Sequence, residues 1–201
     1  MKKILYSILT GLSVIAGFNA QAKEMDMTGK KVLVVYFSKI GEQYSVGNIT
    51  EGNTAIIAKM IAEQTGADLF EVKLKNDTYP AAYKALTEAA LAEKKANTRP
   101  EIEGDVANFA EYDVVFIGSP NWWADMPMAL YTFMEAHSWN SKIVAPFVTH
   151  EGSGLSSIPS KIKSVTNAEM LDGLAVYGHV AQNDREQAKI DVINWLKKLG
   201  F

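Results

Sequence analysis

Residues 31–38 read KVLVVYFS, a nearly continuous run of β-branched and aromatic side chains without polar alternation. A strand of that kind is covered on both faces, so it belongs in the middle of a sheet. The period then changes. Ile57, Met60 and Ile61 recur at helical spacing behind Gly52 and Asn53, either of which can cap a helix, and Gly66 offers a left-handed stop. Residues 68–73 read as a second, shorter strand. Pro80 suits a helix start, and Tyr83, Leu86, Ala90 and Leu91 follow at helical spacing until Pro100 ends the region. Further along come a buried strand at 114–118, a helix at 127–136, strands at 143–148 and 174–177, and a last helix at 184–199 closed by Gly200.

Alternation of strands and helices implies right-handed crossovers, hence an α/β protein with a parallel sheet between two layers of helices. Five strands suggest the doubly wound order 2-1-3-4-5. Ligands in such sheets bind beyond the carboxyl ends of the strands, where the winding direction reverses. The loops after Ser38, Gly118 and Val148 are therefore the places to look for chemistry. Pro146 disagrees with its strand, because its missing N–H should break a ladder, and a bulge or early termination is expected there.

The start of the chain has a different character. Lys2 and Lys3 precede an apolar run, residues 4–18, and Ala20-Gln21-Ala22 has the small-x-small pattern of a cleavage site. The expectation is a secretory signal peptide over residues 1–22, a domain over 23–201, and a periplasmic or secreted product without a membrane anchor. The run is shorter than the ~20 residues a spanning helix needs. Removing Lys2 and Lys3 from 20 basic residues leaves 18 against 23 acidic ones, a net charge of −5. A mildly acidic surface argues against nucleic acid or anionic membrane as partners. The 201 residues contain no cysteine and three histidines. Disulfides, thiol nucleophiles, iron–sulfur clusters and thiolate zinc sites are thereby excluded, and any redox chemistry must come from a bound organic cofactor or another metal, for which three histidines leave little.

The three loops differ in what they can hold. The first delivers Gly52, Asn53 and Thr54 to a helix start, where free amides and the positive helix end attract phosphate and the hydroxyls of Ser38 and Thr54 can add donors. An ordinary capped helix is the alternative. In the second, Pro120, Asn121, Trp122 and Trp123 follow a buried strand, and the indoles either stack on a flat conjugated ligand or plug the core. The third is Thr149, His150, Glu151, Gly152, Ser153 and Gly154, whose small residues let main-chain amides approach a ligand. A rival reading makes His150 and Glu151 an acid/base pair with Ser153 as nucleophile. Adjacent residues seldom face each other, however, and a glycine-flanked serine elbow is missing.

Taken together these motifs resemble the flavodoxin-like FMN-binding proteins. The subfamily they are similar to carries YFS at 36–38, GEQYSVG at 41–47, GNT at 52–54, YPAAY at 79–83, RP at 99–100, WWADMP at 122–127, TFME at 132–135 and THEGSG at 149–154. The resemblance implies a flavodoxin-like three-layer fold with FMN as cofactor. It implies that Ser38, Asn53 and Thr54 hold the phosphate, that Asn121, Trp122 and Trp123 flank the isoalloxazine, and that residues 149–154 meet its polar edge. The segment 41–49, an insertion relative to ordinary flavodoxins, either contacts the cofactor or packs. Two functional readings follow. One is an FMN redox protein, an electron carrier or a reductase of small acceptors such as quinones or nitro compounds, with a partner outside the cytoplasm. The other is a binding module of the same fold that has lost FMN or takes another phosphorylated ligand.

Overall fold

The structure is a computed structural model, described here for residues 26–201; the leader and cleavage site expected from the sequence fall outside the described residues. The elements in chain order are β1 (Val32–Tyr36), β2 (Gly41–Gln43), β3 (Gly47–Ile49), α1 (Asn53–Thr65), β4 (Asp68–Glu71) and α2 (Tyr83–Ala96). There follow β5 (Val114–Pro120), α3 (Met128–Ala136), β6 (Ile143–His150), α4 (Ile158–Thr166), β7 (Glu169–Met170), β8 (Leu174–Tyr177), α5 (Gly178–Asn183) and α6 (Arg185–Leu199).

All strand pairs of the main sheet are parallel. The order is β4-β1-β5-β6-β7, with β8 also pairing with β6. Strands β4, β1, β5, β6 and β8 thus reproduce the expected 2-1-3-4-5 order, and β7 is a two-residue addition on the same flank. Alternate residues feed two cores. Leu33, Val35, Val115, Ile117 and Val148 meet α2, α3 and α4 on one face, around Phe133, Met134 and Ile162. Val34, Tyr36, Phe116, Ala145 and Phe147 meet α1 and α6 on the other, around Ile57, Ile61 and Leu196. Burial of both faces explains why β1 and β5 carry unbroken apolar runs.

Pro146 corrects one expectation, since β6 runs through it without a bulge, in register with β5 from Ile143 to Thr149. Ile143 N donates to Asp113 on the β5 side, whereas Leu171 N reaches Val144 O on the opposite side. By strand alternation the nitrogen of Pro146 faces that opposite side. There the partner of β6 changes from β7, paired at 143–144, to β8, paired at 147–150. The missing donor falls in the gap between two partners.

The helix ends follow the expected chemistry. Gly66 (φ 69°) and Gly200 (φ 93°) close α1 and α6 in the left-handed region. Asp184 caps α6 by accepting from Gln187 N at 3.2 Å. Pro80 stays outside α2, which begins at Tyr83. The helix α4, absent from the sequence reading, supplies the crossover between β6 and β7. The motif residues Arg99 and Glu135 form a forked ion pair, with both N–O distances 2.7 Å, and Thr132 Oγ1 donates to Pro100 O at 2.9 Å. They pin the α2–β5 connection to α3, at a distance from the ligand edge.

Candidate functional site

A pocket of about 530 Å³ opens at the carboxyl ends of β1, β5 and β6. Its volume is within the range of small-molecule sites. One wall comes from the three expected loops and carries Asn53, Pro120, Asn121, Thr149, His150 and Glu151, with Ser153 beside them. Trp122 and Trp123 stand at its boundary. The rest of the lining comes from the β2–β3 hairpin through Gln43 and Tyr44, and from α2 through Tyr83, Leu86, Thr87 and Ala90.

At one end lies the start of α1. Gly52 is its N-cap residue, without a side-chain cap. Ser38 Oγ instead accepts the N–H of Ala55 at 3.1 Å, while the amides of Asn53 and Thr54 have no hydrogen-bond partner among the described residues. The positive helix end and its unused donors are suited to an anion. A Cβ at Gly52 would lie 2.1 Å from Ser38 Oγ and 2.9 Å from Lys39 O, so only glycine allows the chain to pass there. Asn53 Oδ1 accepts from Gln182 Nε2 at 2.8 Å, and the two are clamped onto α5. Lys39, adjacent to Ser38, is paired with Asp77 at 2.6 Å.

Thr54 stands apart from the other site candidates. It is 1% exposed, and its hydroxyl bonds that of Thr149 at 2.7 Å, joining the first loop to the third beneath the pocket. Its backbone, rather than its side chain, is available to a ligand. Gly52, Ser38, Gly152 and Gly154 likewise do not line the pocket and serve the shape of its loops. Gly152 (φ 114°) and Gly154 (φ 59°) take conformations that favour glycine. Gly154 O accepts from Asn121 Nδ2 at 2.9 Å, which ties the second loop to the third.

The two tryptophans divide the roles that sequence offered them jointly. Trp122 is half-buried and meets Phe37 and Tyr79 edge-on, at centroid distances of 5.5 Å and 5.3 Å. It is chiefly a plug. Trp123 is 48% exposed and leans on α2, its indole N–H donating to Thr87 O at 2.9 Å. Trp123 and Ala124 both have φ of 58°, a conformation costing non-glycine residues about 1–3 kcal/mol each. Surrounding bonds hold the turn: Ala124 N to Asn121 Oδ1, Ser157 Oγ to Ala124 O, and Lys94 Nζ to Trp123 O.

Beneath that turn sits Asp125, 3% exposed. Burial alone pushes its carboxyl up, but the bonds from Lys161, Tyr131 and the Met126 amide outweigh burial and hold it below the ordinary value. Lys94 adds a second cation at 3.5 Å. Met126 and Met128 are buried core residues.

In the third loop, Glu151 turns away from His150. Its two carboxylate oxygens accept from the backbone N–H and Nδ1–H of His179, each at 2.8 Å. The rival pairing of Glu151 with His150 is not formed; Glu151 bonds instead a histidine 28 residues distant. Burial is the main cause lowering the pKa of His150, followed by the opposing pull of Glu151 and the push of His179. His150 Nδ1 accepts from Gly152 N at 2.9 Å, so the neutral ring carries its proton on Nε2. The hydroxyl of Ser153 bonds no base among the described residues. The lining also includes Gln43 and Tyr44, from the segment 41–49 that was left open between cofactor contact and packing, and Tyr83, Leu86, Thr87 and Ala90 of α2, which the sequence reading did not place at the site; nor did it place His179, which is reached through Glu151. Tyr83 had a signal, since it shares the stripe of Leu86 and Ala90; His179 had none.

Comparison with known proteins agrees with the fold. A family model for flavodoxin matches residues 31–198. A candidate flavoprotein from Bacteroides eggerthii is similar in structure, with a TM-score of 0.66, 26% identity, and coverage of 86% of this chain and 99% of that one. A second, from Bacteroides uniformis, has a TM-score of 0.63, 26% identity, and coverage of 84% and 99%. A flavoprotein from Lactobacillus acidophilus, solved in complex with FMN, shares the fold at a TM-score of 0.58 and 23% identity, covering 78% of this chain and 97% of that one. No curated protein matches the chain. With the family model spanning the whole described sheet and both helical layers, the chain belongs to the flavodoxin family.

Proposed function

We propose that the pocket holds FMN and that the protein works as a flavin redox protein. The observation that carries this reading is the convergence of three loops on one pocket, with an amide-rich helix start at one end and an exposed indole at the other. The amides of Asn53 and Thr54, with Ser38 and the glycine crossing at Gly52, would hold the phosphate. Pro120, Asn121, Trp122 and Trp123 would flank the ring. The main chain of Thr149, Glu151, Gly152, Ser153 and Gly154 would present donors and acceptors to its polar edge, beside His150. Bound there, FMN supplies one- or two-electron chemistry that the protein tunes by stacking, hydrogen bonding and local charge.

The residues themselves set the environment. Neutral His150 adds a donor without adding charge, and the Glu151–His179 pair fixes the third loop against α5. Support for FMN comes from membership of the flavodoxin family and from the Lactobacillus acidophilus relative solved with FMN. Together with the leader read from the sequence, the proposal places the acceptor or redox partner outside the cytoplasm. Titration of the purified protein with FMN, followed by visible absorbance and flavin fluorescence, tests the cofactor assignment. Saturable one-to-one binding, weaker for riboflavin, which lacks the phosphate, is expected. Equal affinity for both would remove the phosphate end from the site, and no binding of either would leave the family's fold with another ligand.

A further inference from the structure

We propose that the α2 side of the pocket is a second ligand site, for a neutral, flat aromatic molecule, alongside the cofactor. The proposal rests on the flavin reading only in giving the loop wall to FMN. The lining from the hairpin and α2 has a separate origin and character. Tyr83, Leu86, Thr87 and Ala90 follow at i, i+3, i+4 and i+7 and line the pocket as one stripe of α2. Above them the Tyr44 ring lies 5.7 Å from that of Tyr83, tilted by 31°. Leu86 and Ala90 are 3% and 6% exposed, so they form a floor, whereas Tyr44 is 58% exposed and stands free at the rim.

The hairpin carrying Tyr44 is tied down. Glu42 N donates to Ala81 O at 3.2 Å, and Glu42 Oε2 accepts from Tyr83 N at 2.8 Å. A Cβ at Gly41, where φ is +98°, would sit 3.3 Å from Ala81 O, so the chain is drawn close to the start of α2. Tyr44 is thus an exposed aromatic ring on a held support, facing a second aromatic ring and an apolar floor. Such surfaces gain by covering a flat apolar ligand.

Charge narrows the class. No Lys or Arg lines the pocket, and its one charged side chain, Glu151, is on the loop wall. Lys94, the nearby cation of α2, is engaged by Trp123 O at 2.6 Å and by Asp125 at 3.5 Å. Lys84, Lys94 and Lys95 of α2 do not line the pocket, so its lining offers an anionic ligand no cation, and a neutral one needs none.

The test is calorimetric titration of the FMN-saturated protein with 1,4-naphthoquinone as the neutral probe and its 2-sulfonate as the charged one. A single saturable site for the neutral compound and weaker binding of the sulfonate are expected. Tyr44→Ala and Tyr83→Ala should each raise the dissociation constant roughly 2- to 12-fold, the range for one aromatic contact. Tyr44→Phe should keep the affinity. Mutual exclusion of FMN and the quinone would overturn the proposal, because the pocket would then belong to the cofactor alone. Equal binding of both probes, or indifference to Tyr44, would overturn it as well. If FMN itself fails to bind, the flavin reading falls separately, and the same quinone titration on the apoprotein still decides the second site.

Discussion

Replacing Asp125 should damage the fold through two orphaned donors more than through lost charge. In Asp125→Ala the hydroxyl of Tyr131, bonded at 2.8 Å, and the amide of Met126, also at 2.8 Å, lose their common acceptor inside the protein. A buried donor left unsatisfied costs about 1–3 kcal/mol. The two lysines weigh less, since their side chains are 31% and 32% exposed and can turn to water. The sum is a loss of about 2–6 kcal/mol. Asp125→Asn keeps an acceptor for both donors and should cost about 1–2 kcal/mol, with its amide facing Lys161 donor to donor. Urea unfolding, followed by tryptophan fluorescence, reads both variants as a lower midpoint at unchanged slope. A pH series adds a second check. The folded-state pKa of Asp125 is depressed, so its contribution is present above its ordinary value of 3.8 and is lost as pH falls through the folded value. The stability difference between wild type and Asp125→Asn should therefore shrink at the acid end. A change within about 0.5 kcal/mol for Asp125→Ala would refute the reasoning, because that is the scale of ordinary surface substitutions.

Gly52→Ala should lower stability and lose FMN, since a methyl group 2.1 Å from Ser38 Oγ and 2.9 Å from Lys39 O must displace both the hydroxyl and the main chain at the phosphate end; an unchanged urea midpoint with unchanged FMN affinity would show that glycine is not required at the crossing. The tryptophans should separate. Trp122→Ala is expected to lower stability by about 3 kcal/mol or somewhat less, as its ring is half-buried among Phe37 and Tyr79, while Trp123→Ala should weaken FMN roughly 2- to 12-fold with little loss of stability. Equal effects of the two in denaturation would contradict the division. Gly118→Ala places a methyl 2.1 Å from Phe147 Cζ in the buried sheet and should cost about 1–3 kcal/mol in chemical denaturation; a neutral result would mean that the Phe147 ring moves aside freely.

The strands were legible because burial on both faces leaves continuous apolar runs, and the helix stops were legible because Gly66 and Gly200 have few other uses. Helix α4 was not. Its apolar signal is confined to Ile158 and Ile162, with Val165, over nine residues, too few turns for periodicity to stand out. The β2–β3 hairpin escaped for a related reason, as its three-residue strands are polar and exposed and carry no alternating pattern. Within the site, the loops could be placed from topology, yet the direction of each side chain could not. Trp122 and Trp123 are neighbours in sequence with different fates, because the left-handed turn at Trp123 swings its indole outward while Trp122 stays with the core. The bond between Thr54 and Thr149 spans 95 residues. Only the folded sheet brings them together.

Pro146 has a consequence for how the sheet meets other chains. Beyond β6 the border is made of two separate short pieces, two residues of β7 and four of β8, with the proline's ring at the break. Its Cγ would lie 3.1 Å from a Cβ at Gly173, where the chain crosses from one piece to the other. A long uninterrupted border strand is a template on which a stray chain can add itself and begin aggregation. Here any visiting strand would find its partner ending after a few residues, and the flank of the sheet resists edge-to-edge growth by being broken where it is already paired.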